Sequence, residues 1–188
     1  YDNHNCIKIF IKTEVYEMIR KQQYLLGLDI GTSNIKTAAL STSGRVAAST
    51  IAETEYNTYP DGRVEFDIDC FYIRVTDVIK KTVSALPEKS IVAGVSISSA
   101  SGNTVLVSGI GSPMMPVISW QDTRVKDEIQ HVFTDLEPES VREITGWPLT
   151  QMFPLAHLSW IRCHEPELLE KAARVCMSTE YINYRLTG

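Results

Sequence analysis

Cysteine is scarce in this sequence, and what there is has no pattern. Cys6, Cys70, Cys163 and Cys176 are the only four among 188 residues. None forms a C-x-x-C pair, and no histidine stands at zinc-finger spacing from them. Cys163 and His164 are adjacent, and adjacent side chains on a helix point apart. A disulfide framework and a Cys/His zinc module are therefore excluded, and ordinary thiols in a reducing compartment are expected. Basic charge is lacking too: 18 Lys and Arg against 23 Asp and Glu give a net charge of −5. That balance supplies no field for gathering nucleic acid or anionic lipid, so neither is expected as a partner. No apolar run approaches the roughly 20 residues of a membrane span. Asp, His and Lys interrupt the apolar residues of the first dozen positions, which spoils a secretory signal. Internal repeats and low-complexity segments are also missing. A soluble, cytoplasmic protein follows as the expectation.

What is present is an ordinary globular composition, 44% hydrophobic and 22% charged. A chain of this length buries roughly 70% of its unfolded surface without a staple. Residues 1–23 read differently from the rest. Ile7, Ile9 and Ile11 alternate, then Val15, Met18 and Ile19 follow at helical spacing. This segment reads either as an appended leader ending near Met18 or as a native extension, and the domain proper as 24–188.

From Tyr24 the pattern is β, then mixed. Tyr24–Ile30 is an almost unbroken apolar run, as expected of a strand buried on both faces. Ile35–Leu40 and Val46–Glu55 follow as strands, divided by the Ser41–Gly44 turn, which predicts a three-strand meander. Tyr59–Gly62 reads as a loop. Asp67 is placed to cap a helix running to about Leu86, with Phe71, Val75, Val78, Ile79 and Thr82 on one face and Pro87 ending it. Ile91–Ser98 then reads as a buried strand entered by a parallel crossover. Short strands are expected at 104–107 and 117–120. Beyond them lie helices at about 122–134, 138–144, 154–163 and 166–173, a strand at 174–177, and a final helix from Ser178 closed by Gly188. The class is α/β.

The segment with chemical content is Leu28-Asp29-Ile30-Gly31-Thr32-Ser33-Asn34-Ile35-Lys36. An aspartate ending a strand, a Gly-Thr-Ser turn and a second strand make a hairpin tip that presents N–H groups and hydroxyls to a phosphate. Gly31 allows close backbone approach. The Asp29 carboxylate suits Mg²⁺, directly or through water, because magnesium takes oxygen ligands and keeps its waters. Lys36 lies within reach of the same phosphate; the competing reading is a solvated lysine on the strand. The spacing is not that of a Walker loop.

Asp-x-Gly-Thr-Ser-x-x-Lys between two strands, followed by a third strand, a helix and a parallel strand, resembles the first phosphate motif of the actin-like (ribonuclease H-like) ATPase superfamily. Further stretches narrow the resemblance to the FGGY family of carbohydrate kinases. They are Val64-Glu65-Phe66-Asp67, Ile118-Ser119-Trp120-Gln121-Asp122-Thr123-Arg124, Thr145-Gly146-Trp147-Pro148, Leu158-Ser159-Trp160-Ile161 with His164-Glu165-Pro166-Glu167, and Tyr181 to Gly188. They run in the family's order across nearly the whole chain.

The resemblance implies an actin-like fold, with a mixed sheet and flanking helices, and transfer of the γ-phosphoryl of ATP to a hydroxyl of a sugar or polyol. It places Asp29 near Mg²⁺ and the transferring phosphate, Gly31, Thr32 and Ser33 in the phosphate turn, and Lys36 as its positive charge. For the sugar it points to the loop with Ser101, Gly102 and Asn103 and to Trp120, Asp122 and Arg124. Trp120 also suits a core position, Asp122 an N-cap, and Arg124 a carboxylate partner on its own helix. Glycerol kinases carry Arg-Glu where this chain reads Ser101-Gly102, which argues against glycerol. Xylulokinases of bacteria carry Gln-Met-His opposite Ser99-Ala100-Ser101, which weakens that assignment. A ketose or polyol is expected. Met152 and Phe153 lie where some members place another substrate-facing side chain, and their apolar character fits core packing at least as well; His157 fits a helix surface, and His131 and His164 polar helix surface without a role. Family members continue past the Leu-Thr-Gly motif, with the general-base aspartate and the adenosine-binding domain downstream. Residues 24–188 are thus expected to be part of an N-terminal domain, without a catalytic base, inactive alone and prone to homo-oligomerise.

Overall fold

The computed structural model describes residues 22–126, 129, 137–148 and 150–188. In chain order the elements are β1 (Gln23–Ile30), β2 (Asn34–Ser41), β3 (Val46–Glu53), β4 (Asn57–Thr58), β5 (Val64–Phe66), α1 (Ile68–Ser84) and β6 (Ile91–Ser99). Then come β7 (Val105–Val107), β8 (Val117–Ile118), α2 (Pro138–Thr145), α3 (Pro154–His164), α4 (Pro166–Lys171), β9 (Arg174–Cys176) and α5 (Ser178–Thr187). The chain divides into two compact units, one holding the described residues through Glu53 with Val75–Ser98, the other Thr54–Arg74 with Ser99–Gly188.

The first unit is built on a four-stranded mixed sheet of order β3-β2-β1-β6. The meander is as expected: β1 and β2 pair antiparallel from Tyr24↔Ser41 to Ile30↔Ile35, and β2 pairs antiparallel with β3. Tyr24, Leu26 and Ala39 form a buried cluster, joined by Ile79, Leu86 and Val92. Valines 75 and 78 of the helix are also buried. The sheet is pinned at a polar point as well. Thr82 Oγ1 bonds Thr37 Oγ1 and donates to Thr50 Oγ1 at 2.8 Å. The apolar run of β1 is not buried on both faces. Leu26 and Leu28 are buried, whereas Leu25 is 56% exposed, because strand side chains alternate and only one face is covered by the described residues of this unit.

In the second unit β4, β5 and β8 form an antiparallel sheet, and β7 pairs with β9. A bridge between Thr104 and Ile118 links the two sheets. The loop expected at Tyr59–Gly62 is the turn of the β4–β5 hairpin, closed by Tyr59 N donating to Arg63 O. Leu106, Ile118 and Ile161 form the core, with Leu158 and Trp160 of α3 and Leu168 of α4 against them. Asp67 caps α1 as its position predicts, its Oδ1 accepting from Cys70 N at 2.8 Å. Asp69 in the first turn of α1 pairs with Arg185 of α5 at 2.5 Å. Of the helix expected at 122–134, residues 124–126 form a turn, and most of the remainder, with His131, lies outside the described residues. The segment 1–21 also lies outside them. No described helix is long and apolar enough to cross a membrane.

Candidate active site

The tip of the β1–β2 hairpin has the geometry that its sequence suggests. Gly31 N donates to Asn34 O at 2.9 Å, closing the turn over Thr32 and Ser33. A Cβ on Gly31 would lie 2.9 Å from that same carbonyl oxygen, so a side chain would open the turn. Asp29 and Lys36 are register partners and therefore share a face of the sheet. Lys36 Nζ lies 4.0 Å from Asp29 Oδ2, with both side chains about half exposed. Below them opens a cavity of about 560 Å³, lined by Gly27, Asp29, Lys36, Ala38, Ser96 and Ser98 among others. A loosely paired carboxylate with exposed oxygens suits a cation held through water. Among the described residues no three His, Cys, Asp or Glu side chains cluster as metal ligands.

In the second unit the structure brings together Gly102, Asn103 and Trp120. Gly102 has φ +92°, and a Cβ there would lie 2.9 Å from both Trp120 Cβ and Met152 O. Only glycine suits that backbone and that contact. Asn103 is buried, and its amide spans two elements. Oδ1 accepts from Trp120 N at 3.1 Å, and Nδ2 donates to Ser178 Oγ at 3.0 Å. Ser101 is exposed and Trp120 is half-buried.

Asp122 and Arg124 face each other and not open space. Asp122 is fully buried. Its Oδ1 accepts from Arg124 N at 2.9 Å and its Oδ2 from Val64 N at 2.8 Å, while the Arg124 guanidinium bonds both oxygens. Arg124 Nη2 also reaches Glu65 Oε1 at 2.5 Å, and Arg124 Cζ stands 4.9 Å from the Trp160 ring centroid. Burial lowers the guanidinium's proton affinity, but the Asp122 and Glu65 bonds and charges outweigh it and raise its pKa. Sequence reasoning gave Glu65 no role. Its signal was a lone carboxylate between Val64 and Phe66 in a short strand.

His157 corrects an expectation. It is fully buried, not on a helix surface. Its Nδ1 shares a hydrogen with Thr104 Oγ1 at 2.7 Å. Burial depresses its pKa to about 4, with Arg124 adding to the effect and Asp122 opposing it. A neutral ring is compatible with an α3 face packed into the core, which its polarity concealed in the sequence. Phe153 is partly buried and meets Trp147 edge-on, while Met152 is 36% exposed and only its carbonyl abuts Gly102. His164 is exposed and stacks on Trp160.

A family model described as the FGGY family of carbohydrate kinases, N-terminal domain, matches residues 24–188. A xylulose kinase of Staphylococcus xylosus is 30% identical over 167 residues, which are 88% of this chain and 34% of that protein. An L-fuculokinase of Salmonella typhi is 27% identical over 89% of this chain and 36% of its own. The chain thus spans about a third of the length of these curated relatives. Among solved structures, xylulose kinase from Rhodospirillum rubrum superposes with a TM-score of 0.81 at 26% identity, covering 86% of this chain and 34% of that one. Gluconate kinase from Lactobacillus acidophilus superposes with a TM-score of 0.81 at 22% identity, over 87% and 33% of the two chains, a likeness of fold. The fold is the actin-like ATPase fold of the sugar kinases. With its hairpin, its Trp120 turn and a family match from Tyr24 to Gly188, the chain belongs to the FGGY family of carbohydrate kinases.

Proposed function

We propose that this chain is the N-terminal part of an ATP-dependent kinase that phosphorylates a hydroxyl of a sugar or polyol, with a ketose favoured and glycerol disfavoured. The observation that carries this reading is the hairpin tip, where Asp29 and Lys36 stand side by side on one face next to a closed Gly31 turn. In the reaction the bond from the γ-phosphorus to its bridging oxygen breaks. A bond to the acceptor oxygen forms, the acceptor's proton passes to a base, and ADP leaves. Such a transfer depends on positioning and charge stabilisation more than on covalent chemistry.

Lys36 supplies positive charge, and Gly31, Thr32 and Ser33 offer N–H groups and hydroxyls to the phosphates. Asp29 would hold magnesium through water, and the ion's contribution is neutralisation of phosphate charge. For the acceptor, Trp120 offers an indole face and Ser101 a hydroxyl, while Gly102 lets the chain approach closely. Asn103, Asp122 and Arg124 serve the same site by holding its shape, since protein groups already engage their polar atoms. The ketose preference rests on the xylulose kinase and L-fuculokinase relatives, and the case against glycerol on Ser101-Gly102.

The test is ADP release with Mg-ATP across ketoses, polyols and aldonates, using the longest polypeptide its gene produces. Turnover with a ketose, lost in Asp29→Ala, is expected. Sugar-dependent thermal stabilisation without ADP release from any acceptor would replace the kinase reading with that of a sugar-binding lobe.

A further inference from the structure

Glu65 is a buried carboxylate that no substrate contact requires. It sits on β5, 7% exposed, in register with Ile118 of β8, the strand that leads into Trp120. Both backbone groups of its neighbour Val64 are bonded to the turn beyond that strand. Ser119 N donates to Val64 O at 3.0 Å, and Val64 N donates to Asp122 Oδ2 at 2.8 Å. Asp122 N returns to Ser119 O at 2.9 Å, which closes the turn around Trp120 and Gln121. The arginine that orients Asp122 also bonds Glu65 through the same nitrogen, Nη2, and lies over Trp160.

The charge count is uneven, with two buried carboxylates sharing one guanidinium. A fold that needed only stability here would be served as well by apolar packing, because burying ions costs about as much as their pairing returns. What the second carboxylate adds is direction. It takes Arg124 Nη2, the same nitrogen that donates to Asp122 Oδ2, and so sets the direction of that nitrogen's bonds and through it the angle of Asp122 and the turn. The indole leaves that turn half-buried, and the Trp120 backbone N–H donates to Asn103 Oδ1.

We propose that Glu65 is a positioning residue for sugar binding, acting through Arg124 and Asp122 on the turn that carries Trp120. This rests on the reading of Trp120 as a sugar-facing side chain. The test uses the longest natural polypeptide with 5-fluorotryptophan, so that each indole gives its own fluorine resonance. Loss of one line in Trp120→Phe assigns that residue. Glu65→Ala is expected to shift or broaden the Trp120 line while the Trp147 line stays. It is also expected to raise the sugar KM about tenfold, with the ATP KM and kcat changed less than about threefold. Glu65→Gln should recover most of the sugar KM, because its amide oxygen still accepts from Arg124. An unmoved Trp120 line, or equal changes in both KM values, overturns the proposal. If Glu65→Ala does not fold, Glu65→Asp, which keeps the charge but falls a methylene short of Arg124 Nη2, takes its place with the same expected pattern. If the parent protein phosphorylates no sugar, the kinase reading fails, and the fluorine shifts alone still decide whether Glu65 positions Trp120.

Discussion

His157 and Thr104 are joined by a 2.7 Å hydrogen bond inside the second unit, and the other ring nitrogen of the histidine, Nε2, is buried with no hydrogen-bond partner among the described residues. Protonation would place a positive charge in that buried setting, so burial holds the pKa near 4, below the ordinary 6.5. A folded-state value below the unfolded one means that the unfolded chain binds the proton more tightly. The stabilisation is therefore complete above pH 6.5 and is lost as pH falls toward 4. The loss should total about 3 kcal/mol, the worth of a shift of that size. Urea unfolding at a series of pH values should show it, and His157→Gln should flatten the profile across that window. A parent profile already flat there would remove the argument.

Gly102→Ala is expected to destabilise the fold by about 2–3 kcal/mol, since it combines a left-handed backbone with a collision in a packed site. The methyl would meet Trp120 Cβ and Met152 O at 2.9 Å, and backbone oxygen does not yield as a flexible side chain does. Chemical denaturation measures the loss. In the kinase reading, sugar affinity should fall further than stability alone accounts for, because the displaced group is Trp120 itself.

Asp29 and Lys36 should behave in the opposite way. Their 4.0 Å pair is about half exposed on both sides, and pairs of that kind contribute at most about 1 kcal/mol. Asp29→Asn and Lys36→Met are thus expected to leave the melting temperature nearly unchanged. In the kinase reading each lowers kcat by about a hundredfold or more, because charge near the transferring phosphate is the main source of catalysis. A variant with unchanged kcat would return its residue to the solvated surface.

Legibility in the sequence followed locality. The hairpin at Gly31, the Asp67 cap and the short strands β7, β8 and β9 lie within a few residues of their causes, so periodicity and turn chemistry revealed them, whereas β4 and β5 went unseen. The Asp122–Arg124–Glu65 network was not legible, because residues 58 and 59 positions apart meet only after β5 and β8 pair. Asp122 and Arg124 read as sugar contacts on family resemblance, while their geometry joins them to the protein. His157 was assigned to the surface because a polar letter gives no sign of a buried partner such as Thr104. The exposed alternate face of β1 was hidden for the converse reason. Leu25 reads as core, and its exposure depends on what covers the sheet.

Thr82 shows the same limit from the other side. Its helical spacing with Val75 and Val78 marked it as a core position, and it is fully buried, but the sequence did not show that its hydroxyl joins Thr37 and Thr50. Thr82→Val deletes that hydroxyl and leaves the buried Thr37 with only a 3.4 Å contact to Val78 O. A cost of about 1–3 kcal/mol is expected, the desolvation penalty of an unsatisfied buried group. Thr37→Val should cost a similar amount by orphaning Thr82 in part. The double variant removes both hydroxyls at once, and replacing both partners with apolar groups of the same shape is nearly neutral. It should therefore be more stable than the sum of the single losses predicts. Urea unfolding of the parent, the two single variants and the double variant measures that coupling, and strict additivity would mean that the two threonines contribute separately.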